Sequence, residues 1–301
     1  MKATAQTLGA TAGIEKSWLS VLSELIKARL TFLVLLTTLV GFYVGTREFV
    51  DFPLMIHTLL GTGLVACGAS ALNQLWEREH DAKMRRTEGR PLPSGRMQPD
   101  TVLIFGGTCS VAGLIYLALT VNLLTSLLGA FTLVTYVFIY TPLKRVTWLN
   151  TAIGAVPGAL PPLMGWTAAR NELSGEGWSL FAILFFWQIP HFLAIAWMYR
   201  EEYAKAGFVM LPAVDPEGFR TGRQAVSHTL ALVFVSLCPV MFRLAGPVYF
   251  AGSLALGLTF VGFAFLFSRQ LTLRRARQLF FASILYLPLL LGLMVFDKIK
   301  H

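Results

Sequence analysis

Charge is scarce in this chain: Asp, Glu, Lys and Arg make up 14% of 301 residues, where a soluble domain carries about 25%. With 55% hydrophobic residues and a mean hydropathy of +0.63, that shortage excludes an ordinary water-soluble globule. Cysteine is scarce too. Cys67, Cys109 and Cys238 each lie inside an apolar run without metal-cluster spacing, so they read as small core residues. The first 29 residues have no short apolar region ahead of a small-residue cleavage site and are not Arg-rich, which fits neither a signal nor a transit peptide. Linkers and low-complexity tracts are missing, so residues 1–301 read as one domain.

Apolar runs near the ~20 residues needed to cross a bilayer are abundant. Nine occur, at roughly 30–46, 54–76, 101–119, 122–141, 148–167, 179–199, 226–245, 248–268 and 278–296. The expectation is an all-α, polytopic bundle of about nine transmembrane helices. The net charge of +9 invites a nucleic-acid reading, but the bases are distributed by topology. If the runs alternate in direction, 20 of the 25 Lys and Arg fall on the side of the N-terminus. By the positive-inside rule this side is cytoplasmic, the C-terminus lies outside, and nucleic acid is no partner. A bacterial cytoplasmic (inner) membrane fits best. Residues 14–28 read as an amphipathic helix lying in the lipid interface.

Span two runs straight into NQLWEREHDAKMRRTEGRPLPSG, and residues 73–96 hold four acids and six bases. Asn73, Glu77 and Asp81 are spaced i, i+4, i+8, within about 80° on one helix face at 100° per residue. Three oxygen donors suit a hard cation such as Mg²⁺, which prefers one or two carboxylates plus substrate phosphates. Arg85, Arg86 and Arg90 follow, and the guanidinium fork binds phosphate bidentately. Together these point to a diphosphate whose departure the charges assist. The plain reading of the same stretch is a base-rich loop whose acids pair with its own bases. Lys144 and Arg145 after span four, and Arg200, Glu201, Glu202, Tyr203 and Lys205 after span six, share that side. Each alone reads as an interfacial anchor; together they form a polar lid. Spans two and six both end in acids followed by bases, which suggests two related halves. Pro157, Pro161, Pro162 and Pro190 predict interrupted helices in spans five and six.

These residues carry a family likeness. Asn73-x-x-x-Glu77-x-x-x-Asp81, Arg86-Thr87, Arg90-Pro91-Leu92 and Gly95 resemble the first motif of the UbiA-type intramembrane prenyltransferases. YTPLKRVTWLNTAIGAVPGALPPLMGW, FFWQIPHFLAIAW and EEYAKAGFVMLPAV are similar to blocks of that family's haem-farnesylating branch. The resemblance implies a bundle around an intramembrane cavity open near the cytoplasmic side. It implies Mg²⁺ (or Mn²⁺) on Asn73, Glu77 and Asp81, and farnesyl diphosphate held there with Arg85, Arg86, Arg90, Lys144, Arg145, Arg200 and Lys205. Glu202, the acid closing span six, joins the metal candidates, although the full DxxxD pattern is missing there. Glu77 stands where many members have Asp.

The implied acceptor is haem b, contacted by His191, Tyr140 and Trp187, with haem A synthase or terminal oxidase assembly factors receiving the product and membrane lipid as surroundings. A lone membrane histidine otherwise reads as a packing group; Tyr136, Trp166 and Phe192 read as core or lipid-facing aromatics. Two other functions fit part of the sequence. A prenyltransferase for a quinone precursor shares the first motif but not the later blocks. A transporter also uses broken helices and buried charge, but near the midplane rather than at helix ends.

Overall fold

The computed structural model describes residues 17–299. Described elements are α-helical: α1 (Trp18–Leu25), α2 (Ala28–Gly45), α3 (Phe52–Asp81), α4 (Pro99–Thr120), α5 (Leu123–Val134), α6 (Thr141–Leu143), α7 (Asn150–Arg170), α8 (Gly175–Met198), α9 (Arg200–Lys205), α10 (Leu211–Val214), α11 (Phe219–Met241), α12 (Pro247–Arg269) and α13 (Leu273–Phe296). A π-helical stretch, Thr135–Tyr140, joins α5 to α6.

Eight helical segments among the described residues are long and apolar enough to cross a membrane. The expected fifth span, α7, is the ninth helix of spanning length, but it is less apolar than the rest. The reason is enclosure: Asn150, Thr151, Thr167 and all three of its prolines are buried between neighbours rather than facing lipid. The outward face elsewhere is apolar, with Phe32, Leu60, Ile104, Leu119, Phe131 and Phe234 exposed, as lipid contact requires. The chain is a multi-pass membrane protein.

Close backbone approach sets the packing. An added Cβ at Gly41 of α2 would strike the backbone of Pro162, and one at Gly165 of α7 would strike the carbonyl of Thr38. Small residues at such crossings are the usual basis of helix association in lipid. In the same way α3 lies against α4, α7 against α8, and α8 against both α11 and α13. At the far end from α1, Lys298 closes the ring by donating to the carbonyls of Tyr43 and Thr46, both at 2.6 Å.

One expectation needs correction. The helices of spans five and six are not interrupted at proline: α7 is continuous through Pro157, Pro161 and Pro162, and α8 through Pro190. Each proline removes a single hydrogen bond, which a helix held by neighbours tolerates. The irregularity sits instead in Thr135–Tyr140, just ahead of Pro142, which lacks an N–H and crowds the carbonyl four residues back, that of Phe138. The interfacial helix expected over 14–28 is described as α1; residues 14–16 lie outside the described residues. It buries Val21 and Leu25 against Ala71, Leu92, Met97 and Val102 and leaves Trp18 and Leu19 exposed.

Candidate active site

With 30 residues, α3 is longer than the ~20 a bilayer needs, and its surplus carries the polar row past the apolar layer. Asn73, Gln74, Glu77 and Asp81 are all buried. Gln74 Nε2 donates to the carbonyls of Leu25 (2.7 Å) and Glu24 (3.0 Å), fastening the end of α1 over the row. Arg96 strengthens that closure with an ion pair to Glu24 at 2.6 Å.

Each row oxygen holds one cation. Lys27 Nζ lies 2.6 Å from Asn73 Oδ1, Lys144 Nζ 2.7 Å from Glu77 Oε1, and Arg90 Nη1 2.6 Å from Asp81 Oδ2. The loop after α3 explains the third pair. Thr87 Oγ1 donates to the open carbonyl of Asp81 (2.8 Å), and the turn bonds Thr87 N to Met84 O and Arg90 N to Thr87 O bring the chain back beneath the helix end. Lys27 reaches inward because it sits in the left-handed region (φ 49°) at the corner between α1 and α2.

The π-helical stretch supplies the opposite wall. Asn73 Nδ2 donates to Thr141 Oγ1 (2.9 Å), and that hydroxyl donates to the carbonyl of Tyr136 (2.8 Å). A π-bulge frees such groups from the α-ladder, and bulges of this kind concentrate at functional sites. Tyr136 and Tyr140 stack with centroids 5.7 Å apart. Lys144 lies 4.5 Å from the Tyr140 ring centroid and Lys27 lies 6.0 Å from that of Tyr136. Gly154 is required here, since a Cβ would enter the Tyr140 ring.

Three cations thus face two carboxylates and a carboxamide. Burial, with the charge of Arg90, pulls the Lys27 pKa down to about 7 against the opposing pull of Glu77. Burial also acts to lower Lys144, but the Glu77 carboxylate overrides it and holds that ammonium above the usual lysine range. Among the described residues no three His, Cys, Asp or Glu side chains converge as a self-contained metal cage. Two carboxylates and one amide oxygen on a helix face do suit Mg²⁺, which draws its remaining ligands from water and substrate phosphate. The surplus of positive charge suits an anion.

The other candidates are spread around this centre. Arg86 donates to Tyr203 Oη (2.8 Å) and lies over the rings of Tyr199 and Tyr203, tying the first loop to α9. Arg145 donates to the carbonyl of Trp76 (2.9 Å), and Arg85 and Lys205 are exposed. Arg200 covers the ring of Trp197, and both line a separate pocket with Glu202, Leu271 and Leu273. Among the described residues Glu202 Oε2 is buried there without a partner, and no contact joins it to the α3 row. Trp187 and His191 lie together on α8 against α13. Residues 206–210 fold back on the centre: Val209 N donates to the carbonyl of Lys144 (2.7 Å), and Phe208 lies 5.9 Å from its ammonium. Sequence reasoning passed over Lys27, Thr141 and Phe208. Lys27 is one more interfacial base in the sequence, and only the turn at the α1–α2 corner distinguishes it.

A model of the UbiA prenyltransferase family matches residues 34–285. A protoheme IX farnesyltransferase of Solibacter usitatus is 49% identical, over 91% of this chain and 97% of that protein. One of Koribacter versatilis is 44% identical over 92% of each. Among solved structures, a digeranylgeranylglyceryl phosphate synthase superimposes with a TM-score of 0.80 at 16% identity, covering 94% of this chain and 99% of that one. A UbiA homologue of Archaeoglobus fulgidus, solved with DMAPP and Mg²⁺, gives 0.66 at 16% identity over 91% and 98%. Identities this low establish likeness of fold.

Proposed function

The chain belongs to the UbiA prenyltransferase family, and from that premise we propose that it transfers a farnesyl group from farnesyl diphosphate to a vinyl carbon of haem b, with addition of water. The observation that carries this reading is the triple pairing at the end of α3, where Lys27, Lys144 and Arg90 each rest on an oxygen that a metal–diphosphate would claim. Haem b as acceptor is supported by the activity named for relatives at 44–49% identity. The excess of bases on the N-terminal side supports a cytoplasmic site in a bacterial inner membrane.

Asn73, Glu77 and Asp81 would hold Mg²⁺, or Mn²⁺ in its place, which when bound neutralises the leaving diphosphate. The protein's own part is an exchange of partners. Lys27, Lys144 and Arg90 pass from the row oxygens to phosphate oxygens, and Arg85, Arg86, Arg145, Arg200 and Lys205 add a positive rim that draws the anion in. The C1–O bond breaks and its electron pair leaves with the diphosphate. Positive charge left on the allylic carbon is favoured by the stacked faces of Tyr136 and Tyr140. Capture by the vinyl carbon forms the new C–C bond, and water adds to the adjoining carbon with loss of a proton. A site closed by α1 and the 82–98 loop keeps bulk water from competing for the first cation. The hydroxyethylfarnesyl haem then passes to haem A synthase or terminal oxidase assembly factors.

The test is mass analysis of haems extracted from membranes that express the protein. A species heavier than haem b by farnesyl plus water is expected, and it should vanish with Asp81→Asn. Unchanged haem beside a prenylated quinone precursor would replace the acceptor.

A further inference from the structure

The proposed reaction makes two opposite demands on water. Water must stay away from the allylic cation, yet one molecule must reach the cation left on the porphyrin side once the new C–C bond has formed. A closed site meets both demands only if that molecule is held beforehand, by an acceptor that leaves its lone pairs free to attack.

Gln188 has the chemistry and the depth for this task. It sits in the middle of α8, ten residues before Met198, and is 4% exposed. A polar side chain at that depth of a membrane helix is costly, and it marks either packing glue or function. As glue the amide is poor. The short bond of Nε2 goes to the carbonyl of Leu184 in its own helix (3.0 Å), and the one that crosses to Ala155 of α7 is 3.4 Å long. These two bonds use both N–H protons and fix which end of the amide is the oxygen. Among the described residues no donor reaches Oε1.

That oxygen lies over Gly158 of α7, where an added Cβ would strike it. One turn earlier on the same face of α7, a Cβ at Gly154 would strike the Tyr140 ring. Four residues span about 6 Å of helix. Gly158 is also the farther of the two from Asn150, which binds Val209 beside Lys144. The amide oxygen therefore lies about one turn beneath the ring that, with Tyr136, faces the allylic cation, on the side away from the diphosphate.

We propose that Gln188 Oε1 accepts a hydrogen bond from the water that adds to the second cation, and that Gly158 is a positioning residue that gives the amide this place. The proposal rests on the function proposed above. When the vinyl carbon bonds to C1 of the farnesyl group, the adjoining porphyrin-side carbon keeps the positive charge. The held water gives that carbon a lone pair, forming the C–O bond, and its proton passes to the departed diphosphate, the base that the reaction itself releases. Without the held water the same cation discharges by losing a proton from the neighbouring methylene. That route makes a C=C bond and a product lighter by one water.

The experiment expresses full-length variants in membranes and measures the ratio of hydrated to dehydrated farnesyl haem by mass, beside farnesyl diphosphate binding. The wild type should give hydrated product. Gln188→Leu should lower the ratio about tenfold or more, the worth of one hydrogen bond to a reacting water, with farnesyl diphosphate affinity retained. Gly158→Ala should shift the ratio the same way, because its Cβ drives the flexible amide aside while Gln188 remains. Gln188→Glu should stay near the wild-type ratio, since a protonated acid gives its one proton to Leu184 and keeps a carbonyl oxygen for the water. A lower yield at an unchanged ratio, in Gln188→Leu or in Gly158→Ala, overturns the proposal and makes the amide a packing group. If Gln188→Leu no longer binds farnesyl diphosphate, Gly158→Ala decides. A wild type that binds farnesyl diphosphate but forms no prenylated haem removes the reading beneath the proposal.

Discussion

Lys144→Met tests whether the cations of the site are counter-ions on loan. The ammonium lies 2.7 Å from Glu77, with side chains 16% and 5% exposed. At an effective dielectric of about 20 their attraction is roughly 6 kcal/mol, and the cost of taking both charges from water cancels much of it. Breaking a buried pair from one side costs about 3–5 kcal/mol, because the remaining charge is stranded. Here Lys27 also acts on Glu77, so the expected loss is lower, about 2–4 kcal/mol. Glu77→Gln in the same chain removes the stranded charge, so the double variant should be more stable than Lys144→Met alone. The resulting coupling energy should be about 2–4 kcal/mol. Unfolding of the purified protein in graded mixed detergent, for the wild type, both single variants and the double variant, measures it. With Mg²⁺ and farnesyl diphosphate added, Lys144→Met should also bind the diphosphate about 10- to 100-fold more weakly, the worth of one charge-assisted hydrogen bond. Additive single variants, with coupling below about 0.5 kcal/mol, would refute the reasoning.

Asp81→Asn should insert normally yet lose about 100-fold or more in turnover, since it removes a charged metal donor; normal turnover in membranes would end the metal–diphosphate assignment. Lys27→Met should lower farnesyl diphosphate affinity about tenfold with little loss of fold stability, because a buried ammonium with its pKa near 7 is already costly. Equal affinity by competition binding would leave Lys27 a structural prop. Arg86→Ala and Tyr203→Phe should each cost about 1 kcal/mol of stability and act alike on turnover. If Arg86→Ala alone slows the reaction, Arg86 reaches the substrate rather than only latching the loop to α9.

Spans were legible in the sequence because hydrocarbon imposes a length and an apolar composition on any helix that faces it. That rule is weakest for α7, which faces protein, and its Asn150, Thr151 and prolines dilute the signal that lipid exposure would have sharpened. The prolines inside spans five and six were the wrong guide to irregular backbone, whereas Pro142, just past the π-helical stretch, was the informative one. Thr135–Tyr140 becomes π-helical where Thr141 bonds both Asn73 and the Tyr136 carbonyl, and no local pattern in TYVFIY encodes a partner 68 residues earlier. The Asn73–Glu77–Asp81 row was legible because its geometry is that of one helix. Arg85, Arg86 and Arg90 look equivalent in the sequence, yet Arg85 and Arg86 are exposed, the latter pairing with Tyr203, while Arg90 turns in to Asp81. A turn capped by Thr87 made that choice.

The same lesson bears on the basic residues as a class. If the spans alternate in direction, twenty Lys and Arg share one side, and any of them serves the expected orientation equally well. Lys27, Lys144 and Arg90 differ because each meets an oxygen of the α3 row below the closure made by Gln74 and Arg96. A charge that serves topology gains from staying wet, whereas these three are drawn out of water by carboxylates and an amide that cannot hold a metal while they hold the cations. On the proposed function anion and metal would therefore arrive together: with the row oxygens given over to a metal, Lys27, Lys144 and Arg90 would have the phosphate as their partner. Inorganic diphosphate and Mg²⁺ should accordingly bind the apo protein cooperatively, each tightening the other by the same factor, and calorimetric titration in either order checks it. Independent binding would mean that the pairs on the row stay closed during the reaction.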